Sequence, residues 1–129
     1  MDNENLYIQM GEYSGIEKLV HAFYQYMDQL PEVKTIRDMH PLNLVSSIQK
    51  LTEFLSGWSG GPSLYIQKYG HPRLRARHLP FKITELEKDQ WLYCMFKALE
   101  DQTEYSENLK TELKKSFHHI AQFMVNTPS

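Results

Sequence analysis

The sequence predicts an all-α fold, and three observations support this prediction. Apolar residues recur at steps of three and four over four long stretches. No alternating pattern typical of a strand exceeds four residues, and no internal repeat is evident. A chain of 129 residues fits one domain, 1–129, which can bury roughly two-thirds of the surface of its unfolded form.

The first two helices are marked by their start and stop signals. Ser14 and Glu17 form an S-x-x-E capping box, and the helix that follows ends at Pro31. A second helix is predicted over about 43–58, before the breaker Gly-Gly-Pro at 60–62. The apolar positions are Ile16, Leu19, Val20, Phe23, Tyr24, Met27 and Leu30 in the first helix, and Leu44, Ile48, Leu51, Phe54, Leu55 and Trp58 in the second.

Two further long helices are predicted after residue 83. Thr84 and Glu87 form another capping box, and a polar break separates the third helix from the fourth. The single cysteine, Cys94, lies within the apolar pattern of the third helix, so we expect it in the core. It has no partner for a disulfide or a CxxC site. The apolar positions are Leu86, Trp91, Leu92, Met95, Ala98 and Leu99, then Leu109, Leu113, Phe117, Ile120, Ala121 and Met124.

Residues 62–83 are too many for an ordinary connection between helices, which indicates a functional insertion. Pro72 can occupy the first turn of a helix and Pro80 ends one, which leaves 73–79 for a helix of two turns. His78 falls in the last of these turns, on the same face as Leu74. A carbonyl one turn earlier can accept the Nδ1 proton, which leaves Nε2 free to bind a metal.

The basic residues around His78 suggest which metal group could bind. Arg73, Arg75 and Arg77 can pair with anionic groups of a ligand, and heme offers both iron and propionates. The alternatives are a buried histidine satisfied by the protein or a surface histidine in a basic patch. This segment alone does not decide between them.

Three amphipathic residues outside the insertion favour a binding pocket. Tyr24, His40 and Trp91 belong to three different elements, and a purely structural core would more simply use Leu or Phe. Taken singly, each is a residue at the edge of the core with its polar tip in water. Their joint occurrence supports the hypothesis of a polar pocket.

Composition excludes several classes of function. A formal net charge of −2 gives no overall basic surface for nucleic acid. The longest apolar runs are only a few residues, so no membrane span is expected. The N-terminus, MDNENLYIQM, is acidic where a secretory signal would be basic, which predicts a cytoplasmic protein.

Several motifs make the chain similar to a known family. GGPSLYIQKYGHPRLRARHLPF is followed by DQWLYCM, with FYQYM upstream, IRDMHP in the middle and HHIAQFMVN near the end. On these motifs the chain resembles the group II truncated (2/2) haemoglobins along nearly its whole length. The resemblance implies a shortened globin in which two antiparallel helix pairs, a 2-over-2 sandwich, enclose heme b.

The resemblance also implies roles for residues of this chain. The proximal iron ligand falls on His78. The groups that stabilise a bound ligand on the distal side fall on Tyr24, His40 and Trp91, the distal wall on Ser47, Leu51 and Phe54, and the propionate contacts on Lys50 and Arg77. Relatives often carry Phe or Tyr where this chain has His40, and residues 34–40 are longer than theirs, so Met39 is the alternative at that position.

The leading interpretation is a heme protein that binds O2, CO or NO at an iron with one open position and a polar pocket. Strong hydrogen bonding favours high-affinity binding, sensing or detoxification of NO or peroxide over bulk oxygen transport. The alternative is a heme-dependent peroxidase or NO dioxygenase, which needs an external reductase because no flavin or Rossmann motif is present. A third hypothesis is a helical interaction module without heme. We expect a monomer or weak dimer.

Overall fold

The computed structural model describes residues 5–128, and in this range it contains helices and no strand. Residues 1–4 and 129 of the predicted domain, and with them the start of the acidic N-terminus, lie outside the described residues. A 3₁₀ turn spans Pro31–Val33. The α-helices are α1 Leu6–Gln9, α2 Glu12–Gln29, α3 Lys34–Asp38, α4 Val45–Trp58, α5 Leu64–Tyr69, α6 Leu74–His78, α7 Glu85–Glu100 and α8 Glu107–Met124.

The four long helices form the predicted arrangement of two helix pairs. Helix α2 packs against α4 and α7, and α7 packs against α8. The core lies between them and includes Phe23, Leu55, Met95, Leu113 and Phe117, each at most 1% exposed. The all-α prediction is confirmed.

Helix α2 starts earlier than its predicted capping box. It begins at Glu12 after Gly11, whose φ of 92° is in the left-handed region that glycine tolerates best. The predicted start at Ser14 and Glu17 is therefore wrong, because both residues already lie inside the helix. The apolar face was predicted correctly from Ile16 to Met27, whereas Leu30 is only half-buried.

Helix α7 begins at its predicted cap. The backbone N–H and the hydroxyl of Thr84 lie 2.6 and 2.5 Å from Glu87 Oε1, and Leu86 N–H donates to Thr84 Oγ1 at 3.2 Å. Leu86 itself is 53% exposed, so its predicted place in the apolar face is wrong. Cys94 is fully buried as expected, and burial raises the pKa of its thiol to about 11.

The predicted insertion, 62–83, contains two short helices, α5 and α6. Helix α6 is shorter than the expected 73–79, because Arg73 has a left-handed φ of 44° and stands as its N-cap. Pro72 consequently lies before the helix and not in its first turn. Pro80 follows the end of α6, and His78 is the last helical residue, which agrees with its predicted place in the last turn.

The Gly-Gly pair before the insertion has a packing role. A Cβ on Gly61 would lie 2.3 Å from the ring of Tyr7, so only glycine allows α1 to lie against the end of α4. The backbone N–H of Tyr7 donates to Ser59 O at 2.9 Å in the same contact.

In the part of the chain that the structure covers, none of the helices combines the length and apolar character that crossing a bilayer requires.

Candidate functional site

A cavity of about 470 Å³ opens between α2, α4, α6, α7 and α8. Ligand pockets in proteins commonly measure about 300–1,000 Å³. Eight of the nine residues that the sequence placed at the site line this cavity: Tyr24, His40, Ser47, Lys50, Leu51, Phe54, His78 and Trp91. Arg77 is the exception.

His78 reaches the cavity from the last residue of α6. Its Nδ1 donates to the carbonyl oxygen of Leu74 at 2.6 Å, the bond that the helical spacing suggested. In a neutral imidazole this bond leaves Nε2 with a lone pair. A histidine held in this way is suited to bind a metal, because the partner of Nδ1 fixes both the tautomer and the orientation of the ring.

Tyr24 brings a hydroxyl group to the cavity from α2. The residue is 6% exposed, and its ring lies edge-on to Phe23 with centroids 4.8 Å apart. Burial raises its pKa well above the usual value of 10.0, so the hydroxyl keeps its proton at any ordinary pH. Among the described residues it has no hydrogen-bond partner, and it is therefore a donor available to a ligand.

Trp91 brings an indole N–H to the same cavity from α7. The centroid of its ring lies 5.2 Å from that of Phe23 and 6.0 Å from that of Phe117. In the described range no protein group accepts its N–H. Phe23, which is fully buried, thus braces both Tyr24 and Trp91, and the two free donors are held on a rigid support.

His40 lies just after α3, with its ring 5.7 Å from that of Tyr24 and nearly perpendicular to it. Its Nδ1 donates to Ile36 O at 2.8 Å. Burial lowers the pKa of His40 despite this bond, and the positive charge of Arg37 adds to the effect. Neutral His40 therefore presents Nε2 as an acceptor. Met39, the alternative for this position, lines the cavity as well.

The two cations that the sequence assigned to propionates are placed differently. Lys50 lines the cavity and lies 5.5 Å above the ring of Tyr69. Arg77 lies outside the lining: its guanidinium is 5.6 Å from the ring of Tyr65 and donates to the carbonyl oxygens of Tyr69 and His71. Arg77 thus supports the segment between α5 and α6.

Sequence reasoning missed several residues of the cavity wall. Tyr65 and Phe81 lie within the distinctive insertion, whose length was the available signal. Lys88 gave no signal. It is 10% exposed and forms ion pairs with Glu85 and Asp89 at 3.0 and 2.9 Å.

Comparison with known proteins gives consistent matches. The family model described as bacterial-like globin matches residues 5–126. The chain is 42% identical over 85 residues to the group 2 truncated hemoglobin YjbI of Bacillus subtilis, a stretch that covers 66% of this chain and 62% of that protein.

Solved structures match over nearly the whole length. The cold-adapted truncated hemoglobin of Pseudoalteromonas haloplanktis is 41% identical with a TM-score of 0.93, covering 96% of this chain and 99% of that one. A truncated oxygen-avid haemoglobin of Bacillus subtilis is 36% identical with a TM-score of 0.84, covering 95% and 100%. The fold is therefore shared with solved truncated hemoglobins.

Proposed function

Because the chain belongs to the bacterial-like globin family, whose members bind small gaseous ligands at heme, we propose that it binds O2 with slow release and also takes CO and NO. Tight binding suits sensing or the detoxification of NO or peroxide better than bulk transport. The oxygen-avid haemoglobin of Bacillus subtilis supports this reading by its similarity.

The residues of the cavity fit heme. Its walls are mainly apolar, with Leu51 and Phe54 among them, and His78 contributes one imidazole nitrogen that no group among the described residues occupies. This last observation carries the proposal, since a neutral histidine held through Nδ1 is the donor that heme iron takes in globins. The sequence has one cysteine and no C-x-x-C-H motif for covalent attachment, which favours heme b.

When bound, heme supplies an iron atom with one position for a histidine nitrogen and one for a diatomic gas. We assign the first position to His78 Nε2. Leu74 increases the electron density on this nitrogen, because its carbonyl accepts the proton of Nδ1.

Tyr24 and Trp91 are the groups that retain a polar ligand in the cavity. Each offers one N–H or O–H that no acceptor within residues 5–128 occupies, and both rings pack against Phe23. A hydrogen bond to a charged acceptor contributes about 1.5–3 kcal/mol, so two such bonds slow release of a partly negative ligand by orders of magnitude. Neutral His40 lies beside the ring of Tyr24 and offers an acceptor at Nε2, so it adds no third donor for such a ligand.

At the edge of the cavity, Lys50 is the residue we assign to a heme propionate. It is exposed, carries its charge over Tyr69 and forms no ion pair among the described residues. The same role for Arg77 has weaker support, because two backbone carbonyls already accept from its guanidinium.

Absorption spectra of the purified protein in ferric and ferrous forms, with and without CO, test this proposal. We expect a Soret band that shifts on addition of CO. A colourless protein that takes up no added hemin would contradict heme binding. Stopped-flow turnover with peroxide, or with NO after oxygenation, separates ligand binding from the enzymatic alternative.

A further inference from the structure

Helix α6, which carries His78, has little hydrophobic anchorage of its own. It has five residues, none of them buried, and it starts at Arg73 without a side-chain cap. Apolar burial normally fixes the position of a short helix, because isolated helices of this length are unstable in water. Polar contacts must therefore hold His78 in place.

The chain that follows α8 provides these contacts through Asn126. Its Nδ2 donates to the carbonyl oxygens of His78 at 3.3 Å and Phe81 at 3.0 Å. Its Oδ1 accepts from Ile83 N–H at 3.0 Å, and its backbone N–H donates to Ile83 O at 3.0 Å. One side-chain amide thus binds three backbone groups between residues 78 and 83.

Arg75 connects the same two parts of the molecule from the other side. It donates from Nη1 to the carbonyl oxygens of Phe123 at 2.9 Å and Val125 at 2.7 Å. Carbonyls at the end of a helix have no partner within the helix, so they are natural acceptors for such a cation. Hydrogen bonds therefore join α6 and the end of α8 from both sides: Asn126, after α8, donates to His78, and Arg75, in α6, donates to Phe123 and Val125.

We propose that Asn126 is a positioning residue for His78: it fixes the backbone of 78–83 so that His78 Nε2 stays directed into the cavity. The proposal rests on the function assigned to His78 above. It requires asparagine in particular, because the site needs a donor for two carbonyls and an acceptor for one N–H within one short side chain.

Three variants separate these contributions. Asn126→Ala removes all four side-chain bonds, including the one that Oδ1 accepts from Thr127 Oγ1 at 2.8 Å. Asn126→Asp keeps the acceptor for Ile83 but places a carboxylate oxygen against the carbonyls of His78 and Phe81. Arg75→Met removes the hydrogen bonds from Arg75 to Phe123 and Val125 at an exposed position. Gln122→Ala is the matched control, because Gln122 lies in the last turn of α8 but donates to Glu85 at 3.0 Å, away from α6.

In the heme-loaded protein, the readouts are the iron–histidine stretching band of the ferrous form and the rate of hemin transfer to an excess of a scavenger globin. Loss of an outer contact to a metal ligand commonly weakens binding about tenfold or more. We expect hemin transfer to accelerate by about that factor in both Asn126 variants, with a shifted or broadened band, and a smaller change in Arg75→Met. Gln122→Ala should match the wild type.

Amide hydrogen exchange of residues 74–83 in the heme-free chain provides a readout that does not depend on heme. We expect faster exchange in both Asn126 variants and unchanged exchange in Gln122→Ala. If the wild type bound no heme, the proposed function would fail. Amide exchange would still test whether Asn126 holds the backbone of 78–83 in place. The proposal would be overturned if the Asn126 variants matched Gln122→Ala in amide exchange rate, in the iron–histidine stretching band and in the rate of hemin transfer.

Discussion

The Nδ1 atom of His40 lies 2.8 Å from the carbonyl oxygen of Ile36, so the one proton of the neutral imidazole sits on that nitrogen. Nε2 then carries a lone pair toward the cavity that His40 lines. Protonation converts this acceptor into a donor. Toward a ligand, His40 is therefore a hydrogen-bond acceptor when neutral and a donor when protonated.

Burial lowers the pKa of His40 from 6.5, so the folded state binds the proton less readily than the unfolded state. As pH falls below 6.5, protonation consequently favours unfolding, and the free energy of unfolding decreases. We expect His40→Phe to remove this part of the decrease between about pH 7 and 5, as measured by urea unfolding of the heme-free chain. An unchanged pH profile would show that His40 does not titrate in this way.

In the loaded protein, the ferric spectrum or the ligand off-rate should depend on pH between about 5 and 8, and His40→Phe should abolish most of that dependence. His21→Phe is the control, since His21 is exposed on α2 and does not line the cavity. A His40 variant with the full wild-type profile would place the titrating group elsewhere.

His78→Ala should abolish stable heme retention, because the cavity would lose the imidazole nitrogen that we assign to iron. Gel filtration followed by absorption spectroscopy measures this, with exposed His21→Ala as the control. Addition of free imidazole should partly restore binding to His78→Ala. If that variant kept heme with an unchanged ferrous spectrum, the assignment would be wrong.

Tyr24→Phe and Trp91→Phe should each raise the O2 off-rate roughly ten- to a hundredfold, the factor that corresponds to one hydrogen bond to a charged acceptor. Flash photolysis or stopped-flow mixing measures the rate. The double variant should show less than the product of the two effects, since Phe23 couples the two rings.

Matched controls exist for both substitutions. Tyr26 donates to Asp101 at the surface, and Trp58, which stacks on Phe117, does not itself line the cavity. Tyr26→Phe and Trp58→Phe should leave the O2 off-rate near the wild-type value. Equal off-rates in all four single variants would refute a polar pocket.

The ion pair between buried Glu53 and half-exposed Lys68 should make stability depend on pH. Burial raises the pKa of Glu53, but the hydrogen bonds from Lys68 and Gln49 outweigh it, and the net pKa is lowered from 4.5. The stabilising contribution is therefore present above pH 4.5 and is lost as pH falls through the lower pKa of the folded state.

Lys68→Met should destabilise the protein at pH 7, because it leaves a carboxylate that is 3% exposed without its cation. The deficit should shrink as pH falls and Glu53 becomes protonated. Urea unfolding at pH 7 and pH 4 measures both effects, and the double variant with Glu53→Leu should recover stability at pH 7. A deficit that stayed constant with pH would contradict a charge-based origin.

The long helices could be predicted from sequence because their apolar positions repeat over several turns and because Thr84 and Glu87 mark the start of α7. Helices α1, α3 and α5 were not predicted, since four to six residues are too few to show a period. The residue type of Arg73 did not indicate its left-handed backbone conformation. This conformation moves the start of α6 to Leu74 and so shortens the helix.

At the site, the proline spacing placed His78 in the last turn of a short helix, and the helical spacing predicted its bond to the carbonyl of Leu74. Its role as an iron ligand came from the family resemblance and stays a prediction. The contacts of Asn126 and Arg77 could not be predicted, because they join segments far apart in sequence or use backbone carbonyls that have no signature. Which nitrogen of His40 carries the proton likewise depends on the approach of Ile36 O, a tertiary detail.

The absence of buried residues in α6 bears on the fate of the chain in a cell. Helix α6 and its N-cap carry three arginines, Arg73, Arg75 and Arg77, all exposed, so a protease of trypsin-like specificity finds three cleavage sites in one short segment. If heme binds at His78 as proposed, it should stabilise this segment by mass action and lower the fraction of time it is open to attack. We therefore expect such a protease to cleave the heme-free chain here before it cleaves the loaded one.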